Sequence, residues 1–390
     1  MEHVYLSEIA SLKAGGTPSR QKNEYWKNGN IPWLTITDIK GKHVSECKEY
    51  ITDEGLNNSS VKIFKKGTLI YTIFATVGEV AFLDFDTTTN QAIANIELID
   101  TRFSYEFLYY YLLAIKKSVL YDSKGVAQNN INLGYLKKLK IPVISLEEQK
   151  KIVSILDKIN NIIDADKKQL ELLDEVGKSR FIEMFGNPLS NNKGWIQMEL
   201  QEIVTKDCTI SYGIVQTGDE QNEGVPVFRP VDIVNNIPKR ELLKKTTEEI
   251  SNRYKKTILK GRELLITVRA NIADVYVVGE EFKGCNVGRG ITPIRTNEDL
   301  INLDFLKCQI ENVEMNEYIK SLANGITLIQ LNMSDLRTIK FIVPPMDKQL
   351  EFVAFSKLID KSKFSVQKHL GLMEELLDKK MEDFLEEICR

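Results

Sequence analysis

Histidine and tryptophan are scarce in this 390-residue chain, with three of each, and no cysteine pair has C-x-x-C spacing. The histidines (His3, His43, His369) lie far apart in sequence, so no metal-binding constellation is expected. Five cysteines, scattered and odd in number, argue against a disulfide framework or a zinc site and for a reduced, cytoplasmic setting. No apolar run approaches the ~20 residues of a membrane span, and MEHVYLSEIA lacks the basic flank and apolar core of a secretory signal. Strong net charge is also missing. The total is −3, and residues 147–185 and 346–390 carry −2 each, which leaves +1 on the remainder. Charge alone neither supports nor excludes a polyanionic partner.

What the chain has is itself, twice. GVAQNNINLGYLKKLKIPVISLEEQ (125–149) returns as GITLIQLNMSDLRTIKFIVPPMDKQ (325–349). Gly125 matches Gly325, Asn132 Asn332, Leu136 Leu336, Lys140 Lys340, Val143 Val343 and Gln149 Gln349. YLSEIASL is echoed by MELQEIVTK, IPWLTITDI by VPVFRPVDI, and LIYTIFATVGEV by LLITVRANIADV. The offset drifts from 194 to 195 to 200, as it does when surface loops change length between fixed elements. A unit of this size is a duplicated domain, since solenoid repeats run to 20–50 residues.

Each unit opens with β-branched and aromatic runs broken by Gly, Asp and Asn, such as IPWLTITDI, TLIYTIFATVGEVAFL and AIANIELI. SYEFLYYYLLAIKKSVLY and NLDFLKCQIENVEMNEYIKSL have helical apolar spacing. The expected fold is α+β, with two strand-rich heads separated by two long antiparallel coiled-coil helices and an internal pseudo-twofold repeat. The expected division is 1–145 (first head), 146–186 (central helix), 187–345 (second head) and 346–390 (C-terminal helix). In the central helix Ile152, Leu156, Ile159, Ile163, Leu170 and Leu173 form a seam that Asp166 interrupts. Adding 200 gives Phe352, Ser356, Ile359, Lys363, Val366, Leu370, Met373 and Leu377, in the same phase. Some 39 residues would make a rod about 58 Å long, ending near Gly186 with Pro188 as a stop. Two such helices cover each other's seam and hold the heads apart as a rigid spacer. Alternatively, each helix is a docking surface for another protein.

Catalytic motifs are not found. The GKS at Gly177–Ser179 has Leu172 where a phosphate-binding loop needs glycine, and it sits inside a helical pattern. Asn187-Pro188 continues as Leu189-Ser190, which suits a helix stop better than an amine-binding loop of a base methyltransferase. Acid pairs on the long helices alternate with lysine, as a solvated face does. The heads instead place polar, basic and aromatic residues in expected loops. The first offers Arg20, Lys22, Tyr25, Trp26, Lys27, Thr35, Lys124, Gln128, Asn129 and Asn130. The second offers Tyr212, Gln216, Arg229, Arg253, Arg269, Asn271, Arg289, Asn324, Thr327 and Gln330. Arg reads guanine, and Asn or Gln reads adenine, in the major groove; Lys and Arg also hold phosphates. The frame matches between copies while these loops differ, which suggests one scaffold carrying two readers.

The whole chain resembles the specificity subunits of type I restriction–modification systems. The likeness is carried by Gly15-Gly16-Thr17-Pro18, IPWLTITDI, the twofold loop–strand–helix start and FGNPLSNNKGW between the halves. The second copy departs mildly, with Leu328 where the first has Gln128. The resemblance implies a non-catalytic subunit whose two heads each bind one half of a split site on double-stranded DNA. It implies helices that set the spacer and dock two methyltransferase subunits, with restriction subunits joining through them. S-adenosylmethionine, ATP and magnesium are then expected on those partners, and no cofactor in this chain. A type II system with a fused methyltransferase-nuclease, or a coiled-coil scaffold that binds no DNA, remains as an alternative.

Overall fold

The computed structural model describes residues 2–123, 130–233, 238–325 and 329–389. The chain divides into two compact units, Met1–Lys168 with Gln367–Arg390, and Gln169–Val366. Each contains one strand-rich head and a stretch of both long helices. The compact division therefore runs through both long helices.

The first head is built on three sheets. His3–Tyr5 pairs antiparallel with Lys140–Pro142. A five-stranded sheet runs in the order Ala10–Ala14, Ile93–Leu98, Leu69–Thr72, Val80–Leu83, His43–Val44. A four-stranded sheet runs Glu49–Ile51, Ile31–Leu34, Thr87–Thr89, Ile63–Phe64. Leu69, Ile70 and Tyr71 are all buried, so the strand reads as a continuous apolar run rather than an alternating one. Among the described residues the second head repeats the plan with fewer strands in its two larger sheets. Gln197–Glu199 pairs with Lys340–Ile342. Leu264–Thr267 lies between Val275–Val277 and Ile291–Ile294, and Val225–Phe228 between Lys245–Thr246 and Asn286–Val287.

Two sequence expectations change in detail. IPWLTITDI is a strand only over Ile31–Leu34, because the Asp38 carboxylate accepts the Thr35 amide at 2.8 Å and turns the chain into a single 3-10 turn. The two helical stretches are each broken in two, giving Tyr105–Ala114 and Lys116–Ser123, then Leu303–Glu311 and Val313–Ser321. In the second head Asn302 and Asn312 cap the two pieces through their side-chain oxygens.

The first long helix spans Leu146–Phe185 and the second Met346–Cys389. Ser145 and Glu148 form a reciprocal cap at the start of the first, with bonds of 3.0 and 3.2 Å. Gly186 ends it in the left-handed conformation, φ 74°, where a side chain would be strained. Within the first unit Asp166 meets His369 at 2.7 Å and Lys167 meets Glu374. Within the second unit Asp174 meets Lys363 and Arg180 meets Glu351, so the paired stretches run antiparallel there. Leu156, Ile159, Ile163 and Phe352 are buried. Ile152, Leu170, Leu173, Ile359, Val366, Leu370, Met373 and Leu377 are half-buried along the same stripe. Asp166, which interrupts the apolar seam in sequence, is buried because it has a partner.

Both heads grip the start of their long helix in the same way. Gln149 is fully buried; its oxygen accepts the Ser104 amide at 2.9 Å and its nitrogen donates to the Arg102 and Ile144 carbonyls. Gln349 does the same with the Asn302 amide and the Leu300 and Pro344 carbonyls. This staple is why the chain writes the same strand and helix start, ending in glutamine, twice.

Farther along the first unit's helix, Asp157 Oδ1 accepts from both Lys42 Nζ and Tyr110 OH at 2.5 Å. Burial alone would raise this carboxyl's pKa, but the Lys42 and Tyr110 hydrogen bonds outweigh it and hold it below the usual carboxylate value. A depressed folded-state pKa adds stability above the unfolded value of about 3.9 that is lost as pH falls through the folded one. Asp157→Asn is expected to lower stability by about 1 kcal/mol at pH 7, given solvent screening. Paired urea titrations should show the difference shrink as the pH falls through the folded-state value of Asp157.

Candidate nucleic-acid interface

The two heads share a local frame, hydrogen bond by hydrogen bond. The Thr72 hydroxyl donates to the Thr76 carbonyl and accepts the Glu79 amide at 2.9 Å; Thr267 does the same with Asn271 and Asp274. Both loops turn on a left-handed alanine, Ala75 at φ 60° and Ala270 at φ 61°. Non-glycine residues seldom adopt this conformation, and the threonine cradle holds it here. The Ile73 carbonyl accepts the Ile131 amide and the Val268 carbonyl accepts the Leu331 amide, each at 3.0 Å. The loop after the central strand thereby lies beside residues 130–131 in one head and 330–331 in the other.

A third segment closes the corner. The Ile73 amide donates to Ala92 and the Val268 amide to Gly290, each at 2.8 Å. Gly16 donates to the Thr89 carbonyl and Ile214 to the Val287 carbonyl, again at 2.8 Å. The residue before each is glycine because nothing larger fits: a Cβ would sit 2.1 Å from the Thr89 oxygen at Gly15 and 2.0 Å from the Val287 oxygen at Gly213. By these bonds Gln91 is the counterpart of Arg289, and Phe74 of Arg269.

On this common frame the side chains differ. In the second head Arg269 Nε donates to Gln330 Oε1 at 2.5 Å, and Gln330 Nε2 donates to the Tyr212 hydroxyl. Tyr212 in turn donates to the Leu331 carbonyl at 3.3 Å. Arg289, next to Gly290 in the same corner, is exposed. Asn324 is exposed and exchanges two backbone hydrogen bonds with Gln330, of 2.9 and 3.0 Å. In the first head the corner holds Phe74, Gln91 and Asn130, and Asn130 Oδ1 accepts the Ala75 amide at 3.2 Å.

Other expected site residues are elsewhere or already engaged. The Arg20 guanidinium lies 3.6 Å from the Trp26 ring centre and 2.5 Å from Glu49. Trp26 anchors to the Ser19 carbonyl, and Lys22 Nζ donates to the hydroxyl of the buried Tyr25 at 2.8 Å. Lys27 and Gln216 are exposed, and the Thr35 hydroxyl donates to Asp38. Arg229 is held by both oxygens of Asp232, at 3.0 and 2.7 Å, which occupies the face it would present to guanine. Arg253, on the helix Glu248–Arg253, pairs with Glu249. Asn271 is exposed at the loop tip. Lys124, Gln128, Asn129 and Thr327 lie outside the described residues.

Phe74 and Gln91 were not among the residues expected from the sequence. The signal was present in the repeat offset: subtracting 195 from Arg269 gives Phe74. Gln91 needed the hydrogen-bond register, because its offset from Arg289 is 198.

Residues 1–175 and 192–371 match the family described as type I restriction modification DNA specificity domain. The chain belongs to that family. Among specificity-subunit relatives, the type I restriction enzyme MjaIX subunit of Methanocaldococcus jannaschii is 26% identical over 406 residues, covering 96% of this chain and 90% of its own. The EcoBI subunit of Escherichia coli is 22% identical over 287 residues, 68% of this chain and 60% of its own. The S subunit from M. genitalium shares the fold at 16% identity, with a TM-score of 0.56 over 97% of this chain and 94% of that one. A chain from a structure described by complex assembly and conformational transition of the type I R-M system has a TM-score of 0.62 at 17% identity, over 98% and 96%. The α+β fold with two heads and two long helices is therefore the fold of this specificity family. Among the described residues no helix is long and apolar enough to cross a membrane.

Proposed function

We propose that this chain is the DNA-recognition subunit of a type I restriction–modification complex. Each head, within 1–145 and 187–345, binds one half of a bipartite site on double-stranded DNA. The helices at 146–186 and 346–390 set the unread spacer and dock two methyltransferase subunits, through which restriction subunits join. The observation that carries this reading is the duplicated corner: one backbone frame, two different sets of side chains. A single-sequence reader has no use for two frames, and a pure scaffold has no use for different polar side chains on them.

Apolar residues on the outer faces of the long helices support docking. Ile155 and Ile162 are exposed in the first unit, and Leu358 and Phe364 are each 65% exposed in the second. Exposed side chains of this size on a helix that already has a covered seam mark an interaction surface. A cleft of about 430 Å³ in the second unit, lined by Phe181, Lys307, Phe352 and Ile359, offers a further foothold. Catalysis belongs to the partners in this reading, which bring S-adenosylmethionine, ATP and magnesium. The complex works in the cytoplasm. The type I relatives favour these partners over a fused type II enzyme.

The near-neutral heads imply that phosphate contacts are shared with the partner subunits. The assembled complex is expected to bind one bipartite duplex at least about 1000-fold tighter than unrelated DNA. The lone chain is expected to bind the same duplex far more weakly. Gel-shift titrations of both at one salt concentration test this; equal, sequence-independent binding would refute it. In a charge-reversal comparison aimed at a scaffold role, Arg269 is informative, whereas Arg20 and Arg229 are not, because reversing them would also break their links to Glu49 and Asp232.

A further inference from the structure

We infer that Arg269 reads a guanine in the half-site of the second head, and that Gln330 and Tyr212 are positioning residues that aim it. This rests on the DNA-recognition reading above and deepens it. The donor directions in the corner leave no ambiguity. Arginine has only donors, so Gln330 must turn its oxygen to Arg269 Nε, which leaves its nitrogen for the Tyr212 hydroxyl. The tyrosine then donates its own proton to the Leu331 carbonyl. Gln330 is a residue type that can pair with adenine, but here both ends of its carboxamide are engaged within the protein. It braces rather than reads.

The brace takes only the Nε of Arg269. Among the described residues its two terminal nitrogens make no hydrogen bond or ion pair, and the side chain is half-buried on a fixed loop. Two parallel donors on a planar group held from behind suit the O6 and N7 acceptors of guanine in the major groove. The first head supplies the contrast: on the same frame it has Phe74, which has no hydrogen-bonding group, and Asn130 bonds to the loop backbone instead. Position 74/269 is therefore one at which the two heads differ in what they can ask of a base.

The test uses the full chain assembled with its methyltransferase subunits, and selection from a randomised bipartite duplex library followed by sequencing. Wild type should select a motif with a guanine in one half-site. Arg269→Lys keeps the charge but not the fork. It should reduce preference at that one base pair from roughly tenfold or more to below about threefold, leaving the other half-site and the melting temperature unchanged. Gln330→Ala and Tyr212→Phe should relax the same base pair and add nothing in an Arg269→Ala background. Retained guanine preference in Arg269→Lys, or weakening spread evenly over all sequences, overturns the assignment. So does a Gln330→Ala effect at a different base pair, which would make Gln330 itself the reader. If wild type selects no motif at all, the DNA-recognition reading falls, and this inference with it.

Discussion

Replacing Gln349 with alanine will destabilise the second unit by about 4 kcal/mol and leave the first unit's unfolding almost unchanged. The side chain is fully buried and makes three hydrogen bonds, to the Asn302 amide and to the Leu300 and Pro344 carbonyls. Truncation strands three backbone groups, two in buried bonds and one half-buried, each costing about 1–3 kcal/mol when buried, and the sum is less than additive because the site partly relaxes. Gln349→Glu should be nearly as damaging, since a carboxylate keeps the acceptor but loses both donations. Gln149→Ala is the reciprocal case. Hydrogen exchange read separately on peptides of each unit checks both, and early loss of protection at the helix start of only the altered unit is the expected signature. A change of under about 1 kcal/mol would mean that the staple is dispensable.

That glutamine also shows how much the sequence revealed. Gln149 and Gln349 stand out in the unaligned chain because they end matching segments at a constant offset. What they bond to could not be read, since Ser104 and Asn302 are distant in sequence and of different type. The long helices were legible for the opposite reason: their signal is local, a repeat of apolar positions closed by Gly186. Asp166 could be seen only as an interruption until its partner, His369, was placed by the fold. The corner residues were legible in part. Arg269, Tyr212 and Gln330 stand out in the sequence as polar loop residues, but their convergence depends on the Leu331–Val268 bond, which joins segments more than 60 residues apart. Arg229 had the right chemistry for a reader, yet its guanidinium caps its own turn through Asp232 three residues on, a local pairing that spacing alone does not distinguish from exposure.

Removing one heptad from both long helices, residues 159–165 and 370–376, will change the DNA site that is methylated without changing either half of it. The seam tolerates the cut because seven residues are close to two helical turns, so the buried stripe keeps its phase to about 20°. It keeps register too. Asp166 still faces His369, and Lys158 comes to lie opposite Leu377, as antiparallel helices require. Each helix loses about 10 Å, or roughly three base pairs of duplex. If the helices set the spacing, the mapped methylated bases should fall in the same two half-sites with about three fewer base pairs between them. Deleting 159–165 alone removes Ile159 and Ile163, both buried, from one side of the seam and puts the flanking pairs out of step. That chain should be destabilised rather than retargeted, by about 3 kcal/mol or more from the buried isoleucines and their cavity. An unaltered spacer in the doubly shortened protein would show that the distance between half-sites is set elsewhere in the complex.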